Sequence, residues 1–380
     1  MKKILAIFVC LLFLGTMLAA STTVVAPKPP DKPDKPGGGK PPEEEEKLAE
    51  GEETWITDDP YWLRYEPVIY EDKIVWIDNH YSTEDDSLLR FYELPDGPTT
   101  DLYDQYTSMN SPEIYGNKIV FKNKPIGGNV CLYDLGLDKM DIITVKDTGP
   151  ADIYENRIVY GIGYDIWMYD LGIDGTYGGE DDQEYQLTDD EDISYLLPRI
   201  FGNRIVCMED DLTTEEVDWD IVIFDLGDDG LPGGTGGDSD SKTVLAKPGR
   251  QSAPVIYGGI IVYCDNGDWK GKNPNSDIYM YDIGSETKTR LTSDKDAQLY
   301  PDVYGNIIVW ADYRNDQWEI YMYDLGLDGI PNTEDEGEGE YRVTTLEARQ
   351  MNPRIFDNRI VYRDDRSDEG YDIYMFTLEE

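Results

Sequence analysis

The sequence predicts an all-β chain: a seven-bladed β-propeller of four-stranded blades, with the last blade closed by the N-terminal strand. Three observations predict it. A hydrophobic triplet recurs seven times, as Ile74-Val75-Trp76, Ile119-Val120-Phe121, Ile158-Val159-Tyr160, Ile205-Val206-Cys207, Ile261-Val262-Tyr263, Ile308-Val309-Trp310 and Ile360-Val361-Tyr362. Its central valines lie 45, 39, 47, 56, 47 and 52 residues apart, which suits a four-stranded blade and is too long for leucine-rich or ankyrin units. No segment carries a sustained helical period of apolar residues.

Each unit repeats the same order of elements. It opens with a short β run after a proline, as at Pro112–Tyr115, Pro198–Phe201, Pro254–Tyr257 and Pro353–Phe356. A two-residue turn follows, such as Gly116-Asn117, Glu155-Asn156, Gly202-Asn203, Gly305-Asn306 or Asp357-Asn358, of types that tolerate the positive φ of a tight hairpin. The triplet is the second strand. A variable loop leads to a third strand, as in Asp277–Tyr281 or Asp372–Phe376, rich in the β-branched and aromatic residues that favour strands. A fourth strand ends near a threonine, at Thr188, Thr292 and Thr344.

The seventh unit stops at Glu380, just after its third strand. At the other end, Thr54–Thr57 matches the fourth-strand pattern, and Thr57 precedes Pro67 by the same ten positions that separate Thr188 from Pro198. Residues 53–57 are therefore expected to pair with 371–377 and remove two open sheet edges. Deleting 53–57 should cripple folding, whereas trimming before residue 50 should do little.

The unit at 301–325, with Tyr304-Gly305-Asn306 before the triplet and Glu319–Leu325 after it, resembles the TolB-type propeller repeat in the form common in archaeal and bacterial surface proteins. The resemblance spans roughly residues 52–380 and implies the fold. It implies little about function, because propellers host binding and catalysis alike. The Ser-Pro-Asp-Gly turn usual in periplasmic TolB proteins is replaced here by Tyr-Gly-Asn variants, which argues against a Tol-system role.

Composition sets the compartment. Lys2 and Lys3 precede an apolar run from Ile4 to Leu18, with small residues at Ala19, Ala20 and Ala26, so residues 1–26 have the pattern of a secretory signal peptide, or of an uncleaved anchor. Residues 27–52 are rich in proline, glycine and glutamate and form an extended linker, and 53–380 is the propeller. Beyond the signal the cysteines are Cys131, Cys207 and Cys264, an odd number spread over three blades. They suit buried core positions, with a Cys207–Cys264 bridge as the alternative. The expected location is extracellular or at the cell surface.

The chain has 33 Lys and Arg against 79 Asp and Glu, a net charge of −46, and a field of that sign repels phosphate backbones. Nucleic acid is excluded as a partner. The acids gather in loops after the third strand. Asp324, Asp328, Asn332 and Asp335 fall at positions one, five, nine and twelve of a calcium-loop frame with Gly329 at six; Asp170, Asp174 and Asp181 follow the same count, and Asp225 and Asp229 begin it. Calcium takes six to eight oxygens around a sharp turn, which makes these loops candidate calcium sites. The frame is incomplete, since position three is glycine and glutamate is missing at twelve. The leading aspartate also recurs at Asp134 and Asp282 without such a loop, so its alternative role is to finish a strand.

His80 is the only histidine, so neither a Ser-His-Asp triad nor the histidine-bearing metal centre of TolB-like pectate-degrading propellers can be built. A glycoside hydrolase using paired carboxylates remains the alternative to a binding module. In a four-stranded blade, the loops between second and third strands share a face with the connections between blades. That face is expected to carry Trp62, His80, Trp269, Tyr313, Arg314 and Trp318, a set that suits an extracellular protein or glycan partner. Trp62 and Trp318 also suit packing between blades. Aspartates recurring in nearly every blade, such as Asp78, Asp265, Asp312 and Asp364, are assigned to structure, because a site needs asymmetry. The chain is expected to be a monomeric, non-enzymatic binding module, with no catalytic residues assigned.

Overall fold

The computed structural model describes residues 46–379 except 58–61, 81–86, 105–107, 125–127, 145, 147, 215–217, 234–239, 246–248, 268–275, 334–336 and 368–369. The signal segment, most of the linker, Trp269 and Asp335 lie outside the described residues, as do the side chains of Trp62 and His80. Seven four-stranded antiparallel sheets follow one another, with no helix among the described residues. Blades one to six occupy 62–104, 108–144, 148–186, 193–244, 251–290 and 298–342. The seventh takes three strands from 350–378 and its outer strand from Gly51–Trp55.

The closing strand lies two residues earlier than expected, in register from Gly51 against Leu378 to Trp55 against Tyr374. Its threonine explains the fourth-strand signature. Thr57 Oγ1 accepts the Ile373 N–H at 3.0 Å and donates to Asp372 at 3.1 Å. Thr188, Thr292 and Thr344 likewise accept the N–H of Ile166, Ile278 and Ile320 at 2.9, 2.8 and 2.9 Å. Each hydroxyl thus satisfies a buried third-strand donor that the departing outer strand no longer reaches.

The chain touches the propeller before this seam. Leu48 bridges Arg342 in parallel, the Ala49 N–H donates to Arg342 O at 2.9 Å, and the Arg342 N–H donates to Lys47 O at 2.9 Å. Glu46 pairs with Arg342 at 3.1 Å and accepts the Tyr321 hydroxyl. Residues 46–50, placed in the linker on composition, run along the outer edge of blade six before becoming the outer strand of blade seven.

The prolines expected to open each inner strand sit inside it. In six blades the preceding residue has positive φ, at Glu66, Ser111, Leu197, Ala253, Tyr300 and Asn352, and the ladder register shifts there. A bulge accommodates the donor that proline lacks. Blade three, with one more residue between Pro150 and Tyr154, lacks the positive φ. Left-handed backbone before proline is strained, on the order of 1–3 kcal/mol each, so the surrounding packing must impose it.

The inner strands end in an unbroken aromatic ring: Tyr70, Tyr115, Tyr154, Phe201, Tyr257, Tyr304 and Phe356. Neighbouring centroids lie 4.5 to 4.9 Å apart with planes turned by 43° to 52°. Seven-fold symmetry turns each member by about 51°, so the rings keep one orientation relative to the axis. Hydroxyls of Tyr70 and Tyr115, Tyr115 and Tyr154, and Tyr257 and Tyr304 share hydrogen bonds.

The turn after the ring adopts the positive φ that its residue types tolerate. Positive φ falls on the first residue, Glu71, Gly116, Glu155, Gly202, Gly258, Gly305 or Asp357, and not on the asparagine. The asparagine amide instead clamps the acidic loop of its own blade: Asn156, Asn203 and Asn306 donate to the carbonyls of Gly172, Gly227 and Gly326 at 2.9, 2.7 and 2.8 Å. The Asp-Gly glycine completes this contact, since a Cβ at Gly175 would stand 2.6 Å from Asn156 Oδ1 on a backbone with φ of 66°.

The triplets form the core. Their isoleucines, valines and third residues are at most 1% exposed, and each buried side chain contributes roughly 1.5–3 kcal/mol. Cys131, Cys207 and Cys264 are buried free thiols, so the Cys207–Cys264 bridge is absent. Burial pushes the Cys131 and Cys264 thiols up to about 12.

Candidate functional site

The acidic loops leave the third strands on the face that also bears the aromatic ring. Their leading aspartates finish strands: Asp134, Asp170, Asp225 and Asp324 accept the N–H two residues on, at 2.8, 2.9, 3.1 and 2.8 Å. Asp282 accepts the Ser285 N–H in the same role. In the 324–335 loop, Asp328 accepts the Ile330 N–H at 2.8 Å, and Glu338 accepts the N–H of Asn332 and of Thr333. In the 225 loop, Asp229 accepts the Leu231 N–H at 3.0 Å.

The blade-three loop differs. Carboxylate oxygens of Asp174, Asp181 and Asp182 lie within 4.8 Å of one another, the one such group among the described residues. Three oxygens converge beside Gly179, where a Cβ would stand 2.9 Å from Asp182 Oδ1, 3.2 Å from Asp181 Oδ1 and 3.5 Å from Asp174 Oδ2. Asp182 Oδ1 is buried without a hydrogen-bond partner. The donor set and spacing fit a hard cation with oxygen ligands. The opposite oxygens are taken by the loop backbone, as with Asp181 Oδ2 and the Ile173 N–H at 2.8 Å. Asp170, expected as a ligand, faces Gly172 instead, and Asp182 was not singled out from sequence.

The opposite face carries the loops between second and third strands. Tyr313 is exposed there and leans on Trp318 at 5.1 Å between centroids. Trp318 itself is 7% exposed and packs in the cluster shared by blades six and seven. Arg314 pairs with Asp312 at 2.6 Å and Glu340 and lies over the Tyr321 ring at 4.3 Å. Trp62 and His80 are register partners in blade one.

Recurrent carboxylates are tied down. Asp78 holds Arg90 at 2.8 Å and the Trp76 indole N–H at 2.6 Å, Asp265 holds Lys288 at 2.7 Å, and Asp364 holds Arg366. Asp277 pairs with Arg290 at 2.7 Å and Glu319 with Arg342.

A second set crosses the axial channel. Glu113 of blade two is gripped by Arg199 of blade four and by the two-pronged fork of Arg354 of blade seven. Arg354 Nε also reaches Asp302 at 3.2 Å. These blades are not neighbours, so the side chains meet across the axis. Asp152 and Asp302 accept the Ile200 and Ile355 N–H groups at 2.8 and 2.9 Å. Burial pushes the Asp152 carboxyl up to about 6, with Arg199 pulling back. Burial raises Asp302 too. At Glu113 burial also acts upward, but Arg199 and Arg354 bring it below its ordinary value. None of these five residues was singled out from sequence, because their partners lie up to 241 residues away.

No protein-family model and no curated protein sequence matches the chain. Solved structures share its fold. The β-propeller domain of the Trilobed protease from Pyrococcus furiosus aligns over 83% of this chain and 95% of its own, with TM-score 0.61 and 12% identity. That domain is described as having an open velcro topology, whereas here the N-terminal strand closes the last blade. Acylaminoacyl peptidase from Pyrococcus horikoshii aligns over 84% of this chain with TM-score 0.59 and 13% identity, but over only 52% of its own length. TolB from Acinetobacter baumannii aligns over 74% of this chain and 66% of its own, with TM-score 0.48 and 14% identity.

Proposed function

We propose that this protein is an exported, monomeric, non-enzymatic binding module that presents one propeller face to an extracellular protein or glycan. The observation that carries this reading is how the carboxylates are used. A hydrolase with two carboxylates needs a pair free to exchange protons with substrate. Among the described residues, Asp78, Asp265, Asp277, Glu319 and Asp364 are held by arginine, lysine or indole N–H groups, and the channel acids by arginines and backbone N–H groups. The raised carboxyl of Asp152 is what favours the alternative, a glycoside hydrolase. Calcium is proposed as a stabiliser of the blade-three loop, with Asp174, Asp181 and Asp182 as ligands. The net charge of −46 argues against nucleic acid.

The test is retention of the full chain on immobilised glycans and surface-protein extracts, with reducing-sugar release followed in parallel. Saturable retention without release is expected; sustained release would replace the binding reading with the hydrolase. Calcium should raise the thermal midpoint in a way that Asp182→Asn abolishes and Asp328→Asn preserves. Equal responses from both variants would end the metal proposal.

A further inference from the structure

Aligned on the triplet, the residue that follows it is Ile77, Lys122, Gly161, Met208, Cys264, Ala311 and Arg363. Five of the seven are small or apolar; the two cations are Lys122, which donates to the Thr148 carbonyl, and Arg363. Arg363 lies on the second strand of blade seven, opposite Met351 and Ile373. Its guanidinium stands 4.7 Å from the Tyr371 ring and 5.6 Å from the Tyr65 ring, across the junction of blades seven and one. The two rings are 6.0 Å apart and tilted.

The cation is held without a carboxylate bonded to it. One terminal nitrogen meets the Met351 sulfur at 3.5 Å, a weak acceptor, and Nε is buried with no partner. Among the described residues Arg363 has no ion pair, although acids outnumber bases 79 to 33 in the chain. Arg354, Arg359 and Arg366, its neighbours in the same blade, all have carboxylate partners. Glu66 is close enough for its charge to be felt, but its carboxylate is turned to the Ser111 N–H.

A buried Nε–H without an acceptor is unfavourable until a ligand supplies one. A guanidinium held against two aromatic rings is steadied for the planar, two-oxygen geometry of a carboxylate. Its single positive charge within a strongly negative field favours a ligand with one negative charge over a polyanion.

We propose that Arg363, steadied by Tyr65 and Tyr371, receives a single carboxylate group of a ligand bound on the face that carries the loops between second and third strands. The inference rests on the binding-module reading and deepens it. A uronic acid unit and the C-terminus of a peptide share this chemistry, and separate arms of the test distinguish them.

The experiment is calorimetric titration of the full chain with glucuronate and its methyl ester, and with N-acetylalanine and its amide. One acid should bind saturably and its uncharged analogue about tenfold more weakly or less, with the better acid naming the source. Arg363→Gln should lose the same factor of about ten, and Arg363→Lys should recover only part of it, while both keep the parent melting temperature. Failure of both acids to bind the parent, or equal binding by acid and analogue, overturns the inference; that comparison stands even if a variant misfolds. Retention of a neutral glycan or a protein in the broader screen, with no acid binding here, would sink the carboxylate site and leave the module reading intact.

Discussion

At one end of the axial channel the seven inner strands finish in aromatic rings whose spacing varies by only 0.4 Å, from 4.5 to 4.9 Å. Four residues earlier on six of those strands stand Glu66, Ser111, Leu197, Ala253, Tyr300 and Asn352, with no residue type repeated. The first end obeys the repeat and the second departs from it. A regular ring distributes the same contact over every blade and serves closure; an irregular end places different chemistry at each position, which recognition of an asymmetric partner requires. The crossing salt bridges of Glu113, Arg199 and Arg354 lie between the two.

The largest test of the regular end is its seam. Deleting 51–57 removes the closing strand and Thr57, and the loss should exceed about 5 kcal/mol, enough to abolish cooperative unfolding by circular dichroism. A deletion that still melts as one sharp transition would show that the ring holds without its seam. Arg354→Met comes next, because it leaves Glu113 half-paired and Asp302 without its arginine. About 3–5 kcal/mol should be lost in urea unfolding, and adding Glu113→Leu should recover part of it. Tyr115→Ala should cost about 2–4 kcal/mol, against about 1 for Tyr115→Phe, which keeps the ring and loses its hydroxyl bonds. If neither substitution lowers the denaturation midpoint, the aromatic ring is incidental to closure.

The smallest effect is a pH-dependent one. The folded Asp152 carboxyl titrates at about 6, above its ordinary value of 3.8, so the folded chain holds the proton more tightly. Its contribution to stability is therefore full at low pH and is lost as pH rises through about 6. Asp152→Asn, which cannot ionise, should be more stable than the parent above pH 6 by roughly 1–2 kcal/mol, and the gap should close towards pH 4. Parallel melting curves across that range would place the ionised carboxylate comfortably in its pocket.

The blades were legible because burial repeats: every triplet faces the core, so its isoleucine and valine cannot vary without opening a cavity. The seam was legible through Thr57, whose hydroxyl has the same task as Thr188 and Thr344. The asparagines were legible as turn residues but not as clamps, because sequence shows backbone preference and hides which carbonyl an amide will meet. Arg363 was missed for a similar reason. Tyr65 is 298 positions away, and only the closed ring brings it beside the guanidinium. Signals spread over one blade can be read along the chain; those that depend on circular neighbours cannot.

The short run of chain along blade six has a mechanical meaning. Tension applied from the N-terminal side reaches Glu46 first, so it meets the parallel bridge and the Glu46–Arg342 pair before the closing strand. That bridge would have to rupture before the seam feels the pull. Under such a pull, residues 46–50 would take load at the rim of blade six before it reached the closing strand.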